Sequence, residues 1–249
     1  NSVLLFDGAD GSFVGEFVTS GRGGLDNPGL GIAFGPDGDL LVASRGTNEI
    51  LRYDIDTGDF MDVFVGDDPA TPGVDESGGL ISPRDIFVDQ VNDRLLVANN
   101  DDSVLSFDAT TGAFIEVLIG PGAGGISGIR GIAMDLLGDL YVASHDTNQV
   151  LLFDGETGDF TTTLVNDDPF TPFDESGGLD GPQDVLLTTD GQLLVSSGGD
   201  HDAVLMYDNL TGQLLGDFVP PGTAGLNDPA GLAAGWYGIH VVGQGTDQL

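Results

Sequence analysis

The sequence predicts an all-β fold, a five-bladed β-propeller of four-stranded antiparallel blades. Three observations predict it: one four-strand unit recurs five times, its apolar residues alternate with a period of two, and turn dipeptides punctuate it regularly. The units start near residues 3, 50, 104, 150 and 204 and run through 1–249 as a single domain. A β-sandwich also has many short strands, but it does not repeat one four-strand sentence in tandem.

Each unit opens with two runs around a turn: "VLLFDGADGSFVGEFV" (3–18), "ILRYDIDTGDFMDVFV" (50–65), "VLSFDATTGAFIEVLI" (104–119), "VLLFDGETGDFTTTLV" (150–165) and "VLMYDNLTGQLLGDFV" (204–219). Short runs of Val, Leu, Phe and Tyr flanking "TG" or "DG" read as β-hairpins. "DIDTGD" at 54–59 begins like a calcium loop, yet "DATTGA" and "DNLTGQ" lose its acids, so a hairpin turn is the better reading. The second half pairs two more runs: "GIAFGPDGDLLVAS" (31–44), "DIFVDQVNDRLLVAN" (85–99), "GIAMDLLGDLYVAS" (131–144), "DVLLTTDGQLLVSS" (184–197) and "GLAAGWYGIHVVGQ" (231–244).

Composition narrows the function classes. The chain holds 41 acidic residues, six of them Glu and the rest Asp, against six arginines and no lysine, for a formal net charge of −35. Such a field repels nucleic acid and anionic membranes. The acids are threaded singly between apolar residues, as on the solvated faces of folded elements. With no cysteine, disulfides, thiolate metal sites and thiol nucleophiles are excluded. No apolar run approaches the ~20 residues of a membrane helix, so membrane insertion is not expected. The start at Asn1 reads as a processed product, and a lysine-free, Asp-rich surface suits secretion into a cation-rich medium.

The stretch "GLDNPGLGIAFGPDGDLLVASRGTNEILRYDIDTGDF" (24–60), echoed along the whole chain, resembles the NHL-type repeats of bacterial secreted propellers, relatives of gluconolactonase-like and virginiamycin-lyase-like proteins. No tryptophan-aspartate signature is present, which argues against WD40. The resemblance implies that the "GIAF…LLVAS" pair forms the inner strands of a blade and "VLLFD…FVGEFV" the outer ones. The chain then begins and ends mid-blade, and "GTDQL" (245–249) matches "GTNEI" (46–50). We therefore expect N-terminal outer strands to pair with C-terminal inner strands and close the ring, with a larger ring or completion by a partner chain as the alternative.

The candidate sites lie in the loops. "GDDPATPGVDESGGL" (66–80) and "NDDPFTPFDESGGL" (166–179) are near copies that lead into alternate inner strands, as duplication of a two-blade unit would leave them. Their Asp67, Asp68, Asp75 and Glu76, with Asp167, Asp168, Asp174 and Glu175, offer carboxylate oxygens for Ca2+, without EF-hand spacing. The bland alternative is a proline-stiffened turn with solvated acids. Aligning the innermost strands puts Leu30, Arg84, Arg130, Gln183 and Ala230 in one column, followed by Gly31, Asp85, Gly131, Asp184 and Gly231. The loop after the second strand contributes Arg45, Asn100, His145, Gly198 and Gln244, and the architecture places both columns on one face, with Arg22 and His201 nearby. Arg45, Arg84, Asp85, Asn100, Arg130, His145, Gln183 and Asp184 are either structural partners or the lining of a recess for a polar or anionic ligand.

Two functions follow. The first is a secreted binding or scaffold module for a polar or anionic small molecule, a sugar, a peptide or another extracellular protein, with Ca2+ as candidate ion, no organic cofactor, and self-assembly through cation bridging open. The second, implied by the resemblance, is a metal-dependent lactonase or hydrolase, its divalent ion held by Asp85, Asn100 and Asp184, or a lyase using histidine and glutamate. His240, inside a strand, reads as structural, and no serine sits in a nucleophile elbow.

Overall fold

The computed structural model describes residues 1–7, 12–67, 70, 75–166, 175–235 and 238–243, which form two compact units, Asn1–Pro121 and Gly122–Leu249. In the first unit, β1 (Val3–Phe6) and β2 (Phe13–Val18) form a hairpin. Then β3 (Pro28–Phe34), β4 (Leu40–Ser44), β5 (Glu49–Tyr53) and β6 (Phe60–Val65) make one blade, and β7 (Asp85–Asp89), β8 (Arg94–Asn99), β9 (Ser103–Asp108) and β10 (Phe114–Ile119) a second. In the second unit, β11 (Ile129–Met134), β12 (Asp139–Ser144), β13 (Gln149–Asp154) and β14 (Phe160–Val165) form the third blade. The fourth is β15 (Pro182–Leu187), β16 (Gln192–Ser197), β17 (Ala203–Asp208) and β18 (Leu214–Val219), and β19 (Pro229–Gly235) with β20 (Gly238–Gly243) ends the unit. Every blade is an antiparallel meander in chain order.

The fold is an all-β propeller, but the expected five blades are corrected to four: among the described residues, four sheets have four strands, and β1–β2 and β19–β20 each remain two-stranded. The residues at 245–249 chosen to close a fifth blade lie outside the described residues. The physical reason is visible in the strands. In complete blades three to five residues tie the second strand covalently to the third, which keeps the entropy of pairing them low. No such tether joins β20 to β1. Their apolar content is also weak: β19 reads "PAGLAAG" where its counterparts carry Ile, Phe, Met or Leu, and His240 and Val242 stand exposed on β20.

The second strands explain why "LLVAS" is a continuous apolar run. Both faces of such a strand are covered, so the usual polar alternation disappears. Leu41 and Ala43 of β4 pack toward the second blade with Ile86, Leu95 and Val97, while Leu40 and Val42 pack on the other side with Val18, Leu25 and Tyr53. In the second unit Tyr141 and Ala143 of β12 likewise meet Val185, Leu193 and Val195 across the blade boundary. The cores are therefore the spaces between neighbouring blades.

The outer hairpins share one device. Asp54, Asp108, Asp154 and Asp208 each accept, through Oδ1, the N–H of the threonine three residues on, at 2.9, 2.7, 2.8 and 2.8 Å. The flanking aromatics stack edge-on, as in Tyr53–Phe60, Phe107–Phe114 and Phe153–Phe160, with ring centroids 5.9, 5.7 and 5.5 Å apart. Next comes a glycine at positive φ whose neighbour is backbone: a Cβ on Gly112 would strike the Phe64 carbonyl, and one on Gly212 the Leu164 carbonyl. Glycine there lets these two hairpins dock on the last strand of the preceding blade.

A second device spans the boundaries within each unit. Asn48, Asn148 and Asp202 adopt left-handed backbone (φ 61°, 55° and 49°), which Asn and Asp tolerate best after glycine. Their Oδ1 atoms accept N–H groups from the next sheet's leading loop: Ser82 at 2.8 Å, Gly181 at 2.8 Å and Asp228 at 2.6 Å. Asn1 does the same for Asn27 at 3.0 Å.

Two outcomes test this account. Asn148→Ala places a β-carbon at positive φ and strands the Gly181 N–H, and should cost about 1–3 kcal/mol in denaturant unfolding, although Asn148 is exposed. Charge supplies the other. Hydrogen bonds from the threonine hydroxyl and backbone hold Asp54, Asp108 and Asp208 below the usual carboxylate range; in Asp154 the Thr157 N–H leads. These four stabilise the fold fully above the unfolded pKa, near 3.9, and lose that contribution as pH falls through the lower folded values. Asp139 has the opposite sign: burial, then Asp135 and Asp154, raise its pKa, so its ionised form opposes folding. Asp139→Asn should raise the melting temperature at pH 7, by a few tenths to about 1 kcal/mol of stability, and the gain should vanish in acid below the unfolded pKa.

Candidate functional site

In the first unit Arg84 immediately precedes β7 and donates its own N–H to Ala98 O at 2.8 Å. Its carbonyl accepts Leu30 N–H at 2.9 Å and Gly31 N–H at 3.2 Å, so the residue ties the first strands of two blades together. Its guanidinium gives Nε and Nη2 to Asn100 Oδ1, at 2.9 and 2.5 Å. Arg45 follows β4, and its Cδ lies 3.1 Å from where a Cβ on Gly29 would sit, beside the Arg84 carbonyl. Arg45, Arg84 and Asn100 therefore do share one end of the unit. Asp85, 9% exposed, accepts the N–H of Ile86 at 2.8 Å.

In the second unit Asp184 is a clamp. It is 8% exposed, its Oδ1 accepts Val185 N–H at 2.8 Å and its Oδ2 accepts Leu232 N–H of β19 at 2.7 Å. The alternation of Gly and Asp along this column now has a cause. A Cβ on Gly131 would collide with Asp184, and one on Gly31 would lie 2.9 Å from Ile86 N and 3.1 Å from the Asp85 carbonyl carbon. Each aspartate needs a glycine on the strand before it. His145 sits in a 3-10 turn after β12; its Nδ1 is 2.8 Å from Asp146 Oδ1, and its Nε2 reaches toward Gly181 at the start of the next blade. Gln183 lies against Gly198, with Nε2 3.2 Å from where a Cβ would be.

Arg130 differs from Arg84. Its Nε is buried without a hydrogen-bond partner, and among the described residues no acid or amide engages its guanidinium. Other arginines are structurally committed: Arg22 pairs with Asp59, Arg52 with Asp62 at 2.5 Å, and Arg94 with Asp89 at 2.8 Å. Burial pushes the Asp89 carboxyl up, but the bonds from Arg94 and Asn92 outweigh it and the net shift is downward. Arg22 is thus engaged with a hairpin turn.

Of the candidate calcium ligands, Asp68, Asp167, Asp168 and Asp174 lie outside the described residues. Asp67 Oδ1 accepts the N–H groups of Glu76 and Ser77 at 3.1 and 3.0 Å, and the Ser77 bonds lower its pKa. Asp75 Oδ1 accepts Ser77 Oγ at 3.1 Å and Gly79 N–H at 3.0 Å. These acids fold the loop's own turn, which seats Leu80 in the core; Glu76 and Glu175 are exposed. No cluster of three or more His, Asp or Glu positioned for a metal occurs among the described residues. Of the residues named for the lactonase-type ion, Asp184 accepts backbone N–H groups through both carboxylate oxygens and Asn100 accepts Arg84 through Oδ1. No helix of the described residues is long and apolar enough to cross a membrane.

No family model matches the sequence, and no curated protein matches it. Solved structures do. A chain of a nidogen/laminin complex superposes with a TM-score of 0.73 at 15% identity, over 97% of this chain and 82% of that one. A gluconolactonase from Xanthomonas campestris gives 0.71 at 17% identity, over 98% and 76%. A streptogramin B lyase gives 0.57 at 18% identity, over 93% and 72%. At these identities the likeness establishes the β-propeller fold.

Asp184→Ala should cost at least about 2 kcal/mol in chemical unfolding, because two buried backbone donors lose a charged acceptor. A loss under about 0.5 kcal/mol would return Asp184 to the pool of ligand residues.

Proposed function

We propose that the protein is a binding module of NHL-type architecture that grips a polar or anionic ligand through Arg130, with His145 and Gln183 beside it. One observation carries this reading: in a chain with 41 acids and six cations, Arg130 has no acid or amide partner among the described residues. A guanidinium with part of its surface buried loses hydration and gains most from a bidentate carboxylate or sulfate. The nidogen/laminin neighbour, a protein from a protein–protein complex, supports an extracellular protein or its anionic groups as partner. Composition supports secretion, since a lysine-free, Asp-rich surface suits a cation-rich medium. Calcium at the repeated loops belongs to the same proposal; Asp67 and Asp75 engage only their Oδ1 atoms among the described residues.

A specific observation favours a second reading. His145 Nδ1 is oriented by Asp146, an arrangement that leaves Nε2 to exchange a proton with a bound ligand, and two neighbouring folds belong to a gluconolactonase and a streptogramin lyase.

The test is calorimetric titration with sulfate and with D-galacturonate at constant ionic strength. Saturable binding that disappears in Arg130→Ala, with unfolding free energy changed by no more than about 0.5 kcal/mol, is the expected result. Absence of binding to both anions, or loss of folding in the variant, overturns the reading.

A further inference from the structure

Between the third and fourth blades, both within the second unit, lies a cavity of about 320 Å³ distinct from the Arg130 region. Its walls are Thr147, Asn148 and Gln149 from the β12–β13 connection and Ser176, Leu179 and Asp180 from the loop leading into β15. The volume falls within the range of small-molecule sites, roughly 300–1,000 Å³.

The internal repeat shows what the fold alone requires here. In the first and third blades a threonine precedes the left-handed Asn, and its hydroxyl donates to the serine ending the second strand: Thr47 to Ser44 and Thr147 to Ser144, both at 2.7 Å. In the fourth blade the equivalent loop is one residue longer and carries His201 instead. His201 makes no such bond; its Nε2 is buried without a partner. Its ring packs against Gly178, part of the cavity wall, with Nδ1 2.9 Å from where a Cβ would sit. The preceding Asp200 donates its N–H to Asp180 Oδ2 at 2.8 Å. The extended loop thus pins a carboxylate on the wall. At the position of Asp180 the first blade also carries an aspartate, Asp26, against Gly46, and the second blade carries Ile81, so the departure lies in the longer loop and His201. A departure from the local rule with no structural compensation marks a functional position.

The polar groups left over define the ligand chemistry. Asn148 Oδ1 is held by Gly181 N–H, which turns its Nδ2 protons outward as fixed donors. Asp180 keeps Oδ1 as a fixed acceptor, and the Gln149 amide, unbonded to the described protein, supplies both. No cation lines the cavity, so an anion is disfavoured, and no group of three metal-ligating side chains is described there. Mixed donors and acceptors beside Leu179 match adjacent hydroxyls on a small carbon ring. We infer that this inter-blade cavity binds a neutral polyhydroxylated ligand of monosaccharide size, with Asp180, Asn148 and Gln149 as its hydrogen-bonding residues.

Calorimetric and NMR titrations with D-glucose, D-galactose, D-mannose and N-acetyl-D-glucosamine test it on the whole chain. Saturable binding of at least one sugar, weakened about tenfold by Asp180→Asn and by Gln149→Ala, is expected. The Gln149 side-chain amide holds no bond to the described protein, so its variant decides the matter if Asp180→Asn lowers the melting temperature. No saturation by any of the sugars at up to about 50 mM, or equal affinity in the Gln149 variant, overturns the inference. Either result is independent of Arg130, because neither sugar nor variant touches the anion titration.

Discussion

Neighbouring blades share no strand ladder among the described residues; within each unit, single side chains reach across a boundary to satisfy backbone donors, joined in the first unit by the Arg84 carbonyl that accepts Leu30 and Gly31 N–H. Asn48, Asn148 and Asp202 do this from left-handed positions, and Asp184 does it from a strand. A buried or half-buried N–H left without an acceptor is costly, so these contacts fix the spacing and tilt of one blade on the next. Apolar packing between blades supplies the larger free energy, but it is non-directional and would tolerate sliding. The acceptors remove that freedom.

The same constraint accounts for the alternation of the chain's repeats. Blades with Asp at the aligned position of the first strand follow a blade with Gly there, as Gly31 precedes Asp85 and Gly131 precedes Asp184. The two long loops with "DESGGL" lead into those Asp-bearing blades, as copying of a two-blade unit would leave them. In the first loop Asp67 and Asp75 serve the turn that carries Leu80 into the core.

Much of the fold was legible because it is written in local pattern. Hairpins follow from "TG" between alternating runs, and Asp54 bonding Thr57 confirms the turn at the one place where a calcium loop competed. The number of blades was less legible. Repeat counting treats "GLAAG…GIHVV" as equivalent to "GIAF…LLVAS", yet side-chain volume and a covalent tether decide whether a sheet extends to four strands. For the candidate site, the column alignment placed Arg45, Arg84 and Asn100 together, as the structure does. It could not separate Arg84 from Arg130, because the difference lies in whether the facing position offers Asn100 or His145, already turned to Asp146. The acceptor role of Asp184 was hidden for a related cause: it depends on a backbone donor 48 residues away. The left-handed Asn and Asp positions were visible as "TN" and "HD" before each third strand, and went unread because a surface Asn resembles any other.

Site-resolved hydrogen exchange on the amides of Ser82, Gly181, Asp228 and Leu232 measures these boundary contacts directly. If single acceptors fix the blades, those four amides exchange only with the opening of the adjoining strands, as slowly as the ladder amides of β7, β15 and β19. Exchange at the rate of an unstructured chain, while the ladders stay protected, would show that the blades are held without these acceptors and would contradict the account.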